Sequence, residues 1–306
     1  MPVGGAKTTS SKIDVIRQLL KIHGIGAYVQ PMGDAHTSEY ISDADKRVEW
    51  LTSFTGSAGT AIVTADKALL WTDGRYFTQA ADQLKGTGFE LMKMSEPGVP
   101  DLEDWARDSK LVVGADPTLV SLSAAEEWTR KGCDELKLVE HNLVDRAWGE
   151  SKPKRAASPL RPHGVALAGE TVASKLRRVG EALREQGCTS LVLNALDQIC
   201  WLFNLRGADI ECNPVYFAYA VLRVRGSSGR RGAKVTLFLR ALDDDVHDSL
   251  TKAAVEEHLS AEGCCSGSGG SGRDNDDGDD DGDDGDGGDG DGGGGGGGGG
   301  LADCNA

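Results

Sequence analysis

The last forty-odd residues carry almost no apolar side chains. From Gly263 onward the chain reads Cys264-Cys265, then Gly, Ser and Asp, and then nine consecutive glycines from Gly292 to Gly300. Such a segment cannot bury enough apolar surface to offset the entropy of ordering it, so residues 263–306 are expected to be disordered and the folded part to end near Gly263. The tail also distorts the charge. It holds twelve Asp and one Arg, and setting its −11 aside reduces the chain's formal −15 to about −4. The remainder is an ordinary acidic-neutral chain with scattered Lys and Arg, and no basic face to attract nucleic acid.

Nowhere do about 18 apolar residues run together, so no transmembrane helix is expected. Met1 to Ser10 is small and polar and lacks the apolar stretch of a secretory signal. Cys188, Cys200 and Cys212 lie in or near apolar stretches and read as reduced core thiols. No Cys-x-x-Cys occurs, which gives a structural zinc site little support. A reducing cytoplasm is the compartment these features suit.

Periodicity predicts an α/β domain over residues 8–150. It opens with an amphipathic helix from Ser11 to His23 stopped by Gly24, followed by a strand at Ala27–Val29. Thr60–Thr64 and Ala68–Thr72 form a hairpin. Further strands are expected at Phe89–Met94, Leu111–Gly114 and Leu136–Val139. Helices alternate with them, one capped by Ser123 with Glu126 three residues on. Residues 151–163, with Pro153, Pro159 and Pro162, read as a linker whose basic run Lys152–Arg155 is solvated. A second unit spans 164–262. It has a helix at Thr171–Gln186 ended by Gly187, a strand at Ser190–Asn194 and a buried segment at Leu196–Leu205. A hairpin of Pro214–Val221 with Lys234–Leu239 and a helix at Asp248–Ser260 follow. Both units open helix, Gly, strand and continue with a hairpin, the pattern of a duplicated module.

Three runs invite chemistry. Phe54-x-Gly56-x-x-Gly59 precedes a strand, so it reads as a tight loop and not as a phosphate-binding turn that opens a helix. Asp34, His36 and Glu39 sit in one loop without a second cluster, and a solvated loop is the simpler reading than a metal site. Trp71-Thr72-Asp73-Gly74-Arg75-Tyr76-Phe77 reads as a strand leading into a turn and helix with Trp71 and Phe77 in the core; a functional reading would place Arg75 at an edge, where its planar fork could bind a carboxylate, but on the residues alone the structural reading is preferred. Neither a nucleophile elbow nor a His-Glu-x-x-His pair is present.

Taken together, four runs resemble one family. They are Gly33-Asp34-Ala35-His36-x-Ser38-Glu39-Tyr40, Phe54-x-Gly56-Ser57-Ala58-Gly59-Thr60-Ala61, Trp71 to Phe77, and Ala195-Leu196-Asp197-x-Ile199-x-Trp201-Leu202-Phe203-Asn204-Leu205-Arg206-Gly207 continuing through Asn213-Pro214-Val215. Over residues 10–260 the chain resembles the N-terminal domains of cytosolic three-domain Xaa-Pro aminopeptidases, in the creatinase/prolidase superfamily. The resemblance implies two creatinase N-terminal-like α/β domains, the second incomplete and its sheet expected to lack edge strands, and an enzyme that removes the residue preceding proline. It implies two manganese ions held in a third domain by two Asp, one His and two Glu. It also places Arg75 against bound peptide. Proline-containing peptides are the implied partners, a homodimer is compatible, and neither nucleic acid nor membrane is expected. No residue of this chain matches the metal ligands or a catalytic group, so the chain is expected to be inactive by itself. The alternatives are a stand-alone peptide- or protein-interaction module and a truncated gene model.

Overall fold

The computed structural model describes residues 11–133, 136–224, 233–239, 245–263 and 301–305. The chain divides into two compact units between Ala156 and Ala157.

The first unit is built on a six-stranded sheet. Helix α1 (Lys12–His23) begins at Ser11, whose hydroxyl accepts from the Asp14 amide while the Asp14 carboxylate accepts from the Ser11 amide, a reciprocal cap. It ends at Gly24 with φ of 60°, a left-handed turn that favours glycine. Strand β1 (Ala27–Pro31) follows, then α2 (Arg47–Thr52), β2 (Thr60–Thr64), β3 (Ala68–Thr72) and α3 (Phe77–Gln83). The unit continues through β4 (Glu90–Lys93), α4 (Leu102–Ser109), β5 (Val113–Ala115), α5 (Leu122–Arg130), β6 (Leu136–Leu138) and α6 (Leu143–Trp148). The strand order is β4-β3-β2-β1-β5-β6. β1, β2 and β3 are antiparallel neighbours, and the outer strands β4, β5 and β6 pair parallel. Strands β1 and β3 are apolar on both faces because helices cover both. Ile16, Leu20 and Leu143 pack with Tyr28, Val63 and Leu70 on one side. Ala106 and Trp128, from α4 and α5, pack with Val29, Ile62, Leu69 and Trp71 on the other.

Two local expectations are corrected here. Helix α5 is capped by Ser121, in extended conformation, whose hydroxyl accepts from the Ala124 amide at 3.1 Å; Ser123 sits inside the helix. The basic run Lys152–Arg155 is not simply solvated. Lys152 pairs with Asp145 at 2.7 Å, and the Arg155 guanidinium reaches the buried Asp45 carboxylate at 2.5 Å. A carboxylate removed from water draws the nearest long cationic side chains onto it, which charge counting along the chain does not show.

The second unit holds β7 (Arg161–Pro162), α7 (Val165–Ala168), α8 (Val172–Glu185), β8 (Ser190–Leu193), α9 (Leu196–Phe203) and β9 (Leu205–Arg206). It then runs through β10 (Ala218–Val224), β11 (Ala233–Leu239) and α10 (Asp245–Ala261). β7 pairs with β9, and β8, β10 and β11 form one antiparallel sheet. Leu176 of α8, Ile199 and Phe203 of α9, and Val255 and Leu259 of α10 pack on Leu193, Ala220, Leu222, Val235 and Leu237. A polar knot sits within this core. Lys175 Nζ, almost wholly buried, donates to the Trp201 carbonyl at 2.8 Å and to Asn204 Oδ1 at 2.6 Å. The expectation of an unstructured tail falls outside the described residues for 264–300. Beyond the glycine tract there is one difference: Leu301–Asn305 forms β12, antiparallel to β11. An open strand edge presents unpaired N–H and C=O groups that a short extended segment can satisfy.

Candidate functional site

The hairpin register brings two of the singled-out runs together. Thr60 lies opposite Trp71, so the residues just before β2 and just after β3 share one end of the sheet. There the Phe54–Gly59 loop wraps a fully buried Phe54 ring. A Cβ on Gly56 would lie 2.2 Å from that ring, which is why the position holds glycine. The Phe54 ring meets Tyr76 edge-on at 5.9 Å. The Tyr76 hydroxyl and Ser57 Oγ are 2.6 Å apart. Thr55 is tied to α3, its amide donating to Gln83 Oε1 and its hydroxyl accepting from Gln79 and Gln83.

Arg75 stands on this rim with its side chain 68% exposed. Its guanidinium lies 5.2 Å from the Tyr76 ring centroid. Nε and Nη2 donate to Asp73 Oδ1 and Oδ2 at 2.9 and 2.8 Å, a two-pronged pair. The Asp73 carboxyl is held below its ordinary range by that side-chain hydrogen bond and by the Arg75 amide. The family resemblance, and not the run's own chemistry, singled out Arg75. Neither showed Asp73 as its clamp or the Tyr76–Ser57 link, which depend on hairpin register. Trp71, by contrast, is core: it is 2% exposed and its indole donates to the Pro100 carbonyl at 3.0 Å. Phe77 is half-buried beneath Lys93.

The Asp34 loop differs from expectation. Asp34 and His36 are 5% and 3% exposed; only Glu39 faces water. Asp34 Oδ1 accepts from the His36 and Ser38 amides at 2.9 and 3.0 Å, closing the loop on itself. Asp34 Oδ2 has no hydrogen-bond partner among the described residues. A second surface feature, which sequence reasoning also missed, is a groove lined by Lys46, Glu49, Trp50, Thr55 and Trp148. The two indoles stack at 5.3 Å, and the Lys12 ammonium sits over Trp50.

None of these features forms a metal centre. Among the described residues, no group of three or more His, Cys, Asp or Glu is placed to hold a metal ion. The described residues therefore do not fit the pair of ions that the resemblance implies. No described helix is long and apolar enough to cross a membrane.

Comparison with known proteins matches both units to the creatinase/prolidase N-terminal domain, over residues 13–146 and 151–263. The chain is 43% identical over 222 residues to the probable Xaa-Pro aminopeptidase P of Pyricularia oryzae, covering 70% of this chain and 36% of that protein. It is 42% identical over 224 residues to its namesake in Penicillium rubens, covering 71% and 36%. The chain thus spans about a third of the length of the curated relatives it matches. The crystal structure of the X-prolyl aminopeptidase of Caenorhabditis elegans, described as a cytosolic enzyme with a di-nuclear active site, superposes with a TM-score of 0.71 at 31% identity. It covers 82% of this chain and 41% of that one. Two paired creatinase folds, the shared runs and these relatives agree: the chain belongs to the creatinase/prolidase N-terminal domain family, in the form carried by Xaa-Pro aminopeptidases P.

Proposed function

We propose that this chain forms the non-catalytic, substrate-side domains of a manganese-dependent cytoplasmic Xaa-Pro aminopeptidase, and that it does not hydrolyse peptides by itself. The reading is carried by one observation: two of the four runs on which the resemblance rests converge on an exposed rim where Arg75, Asp73, Tyr76 and Ser57 meet. Such a rim offers a carboxylate-binding fork beside an aromatic face, which suits the polar backbone and the saturated, apolar pyrrolidine ring of a proline-containing peptide. The di-nuclear active site of the C. elegans enzyme has no ligand set among the described residues, so activation of water by metal is assigned to residues that enzyme carries beyond the matched stretch.

The test is an assay of the pure chain on Xaa-Pro peptides with added manganese. No turnover is expected; turnover that chelator abolishes overturns the assignment. Titration with the same peptides, followed by amide and Arg side-chain NMR signals, is expected to move Arg75, Tyr76 and Ser57, and to lose that response in Arg75→Ala. A response confined to another surface removes Arg75 from the reading.

A further inference from the structure

Helices α2 and α6 present a pair of indoles that the Arg75 rim does not use. Arg47 and Asp145 join the two helices through hydrogen bonds of 2.8 and 2.9 Å. Three residues further along each helix, where side chains return to the same face, Trp50 and Trp148 stack with their rings 18° from parallel. Both rings are half-buried and line the groove described above, whose volume is about 420 Å³. That lies within the roughly 300–1,000 Å³ of ligand sites. Neither indole N–H has an acceptor among the described residues, whereas Trp71, in the core, donates its own to the Pro100 carbonyl. The groove thus offers flat apolar faces with unused donors on the same rings.

The charges on its wall are unbalanced. Lys46 pairs with Asp43 at 2.6 Å, and the Lys12 ammonium donates to the Trp50 carbonyl while lying over the Trp50 ring. The Glu49 carboxylate, half-exposed on the same wall, has no hydrogen-bond or ion-pair partner among the described residues. The uncompensated charge is therefore negative, and it suits a Lys or Arg. The chain itself shows the backbone form that lies here. Pro153 edges the groove, and Lys152 before it has φ of −65° and ψ of 128°, in the polyproline II region. A polyproline II strand has no internal hydrogen bonds, so its carbonyls are open to N–H donors, and its proline rings dock on aromatic faces. We propose that the groove between α2 and α6 binds an internal, basic, proline-rich run of a partner polypeptide in the polyproline II form. Its proline rings lie against Trp50 and Trp148, and its Lys or Arg pairs with Glu49.

This inference goes beyond the trimming of a free N-terminus and does not rest on the Arg75 rim. The probe is the peptide Pro-Pro-Arg-Pro-Pro-Arg-Pro-Pro with acetylated and amidated ends, which brings neither an ammonium nor a carboxylate to Asp73 or Arg75. Titrated into the full chain, it is expected to shift the indole N–H NMR signals of Trp50 and Trp148. Those of the Trp71–Trp105 pair, on the other side of the sheet, are expected to stay in place. Replacing both peptide arginines by alanine, or Glu49→Gln in the chain, is expected to raise Kd about two- to fivefold, the range of an exposed charge pair. The two changes together are expected to cost no more than either alone, since they remove the same contact. Trp148→Leu is expected to raise Kd about tenfold or more, the scale of a tryptophan at the centre of an interface. Circular dichroism checks that each variant is folded, and Glu49→Gln, at a half-exposed position, keeps the test decisive if Trp148→Leu does not fold. Absence of binding at about 1 mM peptide, shifts confined to other signals, or arginine and alanine peptides that bind alike overturn the proposal. None of these failures touches the assay for turnover or the Arg75 titration.

Discussion

Asp45→Asn is the most informative single change in the first domain. The Asp45 side chain is wholly buried and gathers four hydrogen bonds: from Ser42 Oγ at 2.6 Å, Arg47 Nη1 at 3.1 Å, and Arg155 Nη2 and Nε at 2.5 and 3.2 Å. Arg47, itself nearly buried, keeps a second partner in Asp145 at 2.8 and 2.9 Å. Asparagine preserves the shape but removes the charge, and its amide turns a donor toward donors. Breaking a buried ion pair costs about 3–5 kcal/mol when the surviving charge has no other partner. Here Arg47 retains Asp145 and Arg155 can turn to water, so the loss is expected at about 2–4 kcal/mol, the scale of one to two charged hydrogen bonds. At roughly 2–4 °C per kcal/mol the melting temperature falls by about 4–16 °C. Five of the six tryptophans, all but Trp201, lie in this domain, so urea unfolding followed by tryptophan fluorescence reports it selectively. The pH dependence supplies a second check. Burial alone raises the Asp45 carboxyl, but the hydrogen bonds from Arg155 and Ser42 and the charges of Arg155 and Arg47 outweigh it and hold the group below its ordinary 3.8. A depressed carboxyl contributes stability that is present above the unfolded value and lost as pH falls through the folded one. The gap between wild type and variant is therefore constant above about pH 5 and narrows in acid. A loss under about 1 kcal/mol, or a gap that does not narrow, refutes the reasoning.

Gly56→Ala is expected to destabilise the first domain by about 1–3 kcal/mol in the same assay, because its methyl would overlap the immobile Phe54 ring. An unchanged midpoint would mean that the loop can shift. Of the three thiols expected in the core only Cys200 is buried, while Cys188 and Cys212 are exposed, so alkylation with iodoacetamide, mapped by mass spectrometry on the native chain, should modify Cys188 and Cys212 and spare Cys133 and Cys200. Burial pushes the Cys200 thiol up to about 11, which leaves little thiolate near neutrality. Rapid labelling of Cys200 would show that α9 opens readily.

Most elements of both domains were legible because their signals are local. The α1 period, Gly24, the β2–β3 hairpin and the Thr171 start of α8 each follow from a few adjacent residues. What was not legible depends on partners far apart in sequence. Nothing near Arg155 announces Asp45, 110 residues away, so the basic run reads as solvated until the fold supplies the carboxylate. The burial of Asp34 and His36 is similarly invisible, because their composition is that of a surface loop and the fold decides otherwise. Ser121 rather than Ser123 caps α5 because backbone extension, and not the presence of a hydroxyl, selects the cap. Part of the candidate site was recoverable. Once the hairpin register is fixed, Ser57 and Tyr76 must lie at the same sheet end.

The Arg75 rim makes one further demand on peptide recognition. Both prongs of the Arg75 fork already face Asp73, so a peptide carboxylate or carbonyl does not meet a free cation; it must exchange with an existing partner. Exposed pairs of this kind hold little net stability, since water competes for both members, and the exchange is cheap. Two arrangements then make opposite predictions for Asp73→Asn. If Asp73 only holds Arg75 in place over Tyr76, its loss frees the fork, and Xaa-Pro peptides bind more tightly while Arg75→Ala binds less. If Asp73 itself receives the peptide's ammonium group, Asp73→Asn weakens binding as much as Arg75→Ala does, and the pair acts as a matched acceptor and donor. The geometry favours the first arrangement. Asp73 already accepts both prongs of Arg75 and the Arg75 amide, which leaves its oxygens with little capacity for another donor. Peptide titrations of the two variants decide between them, and equal weakening would overturn the assignment of Asp73 as a clamp.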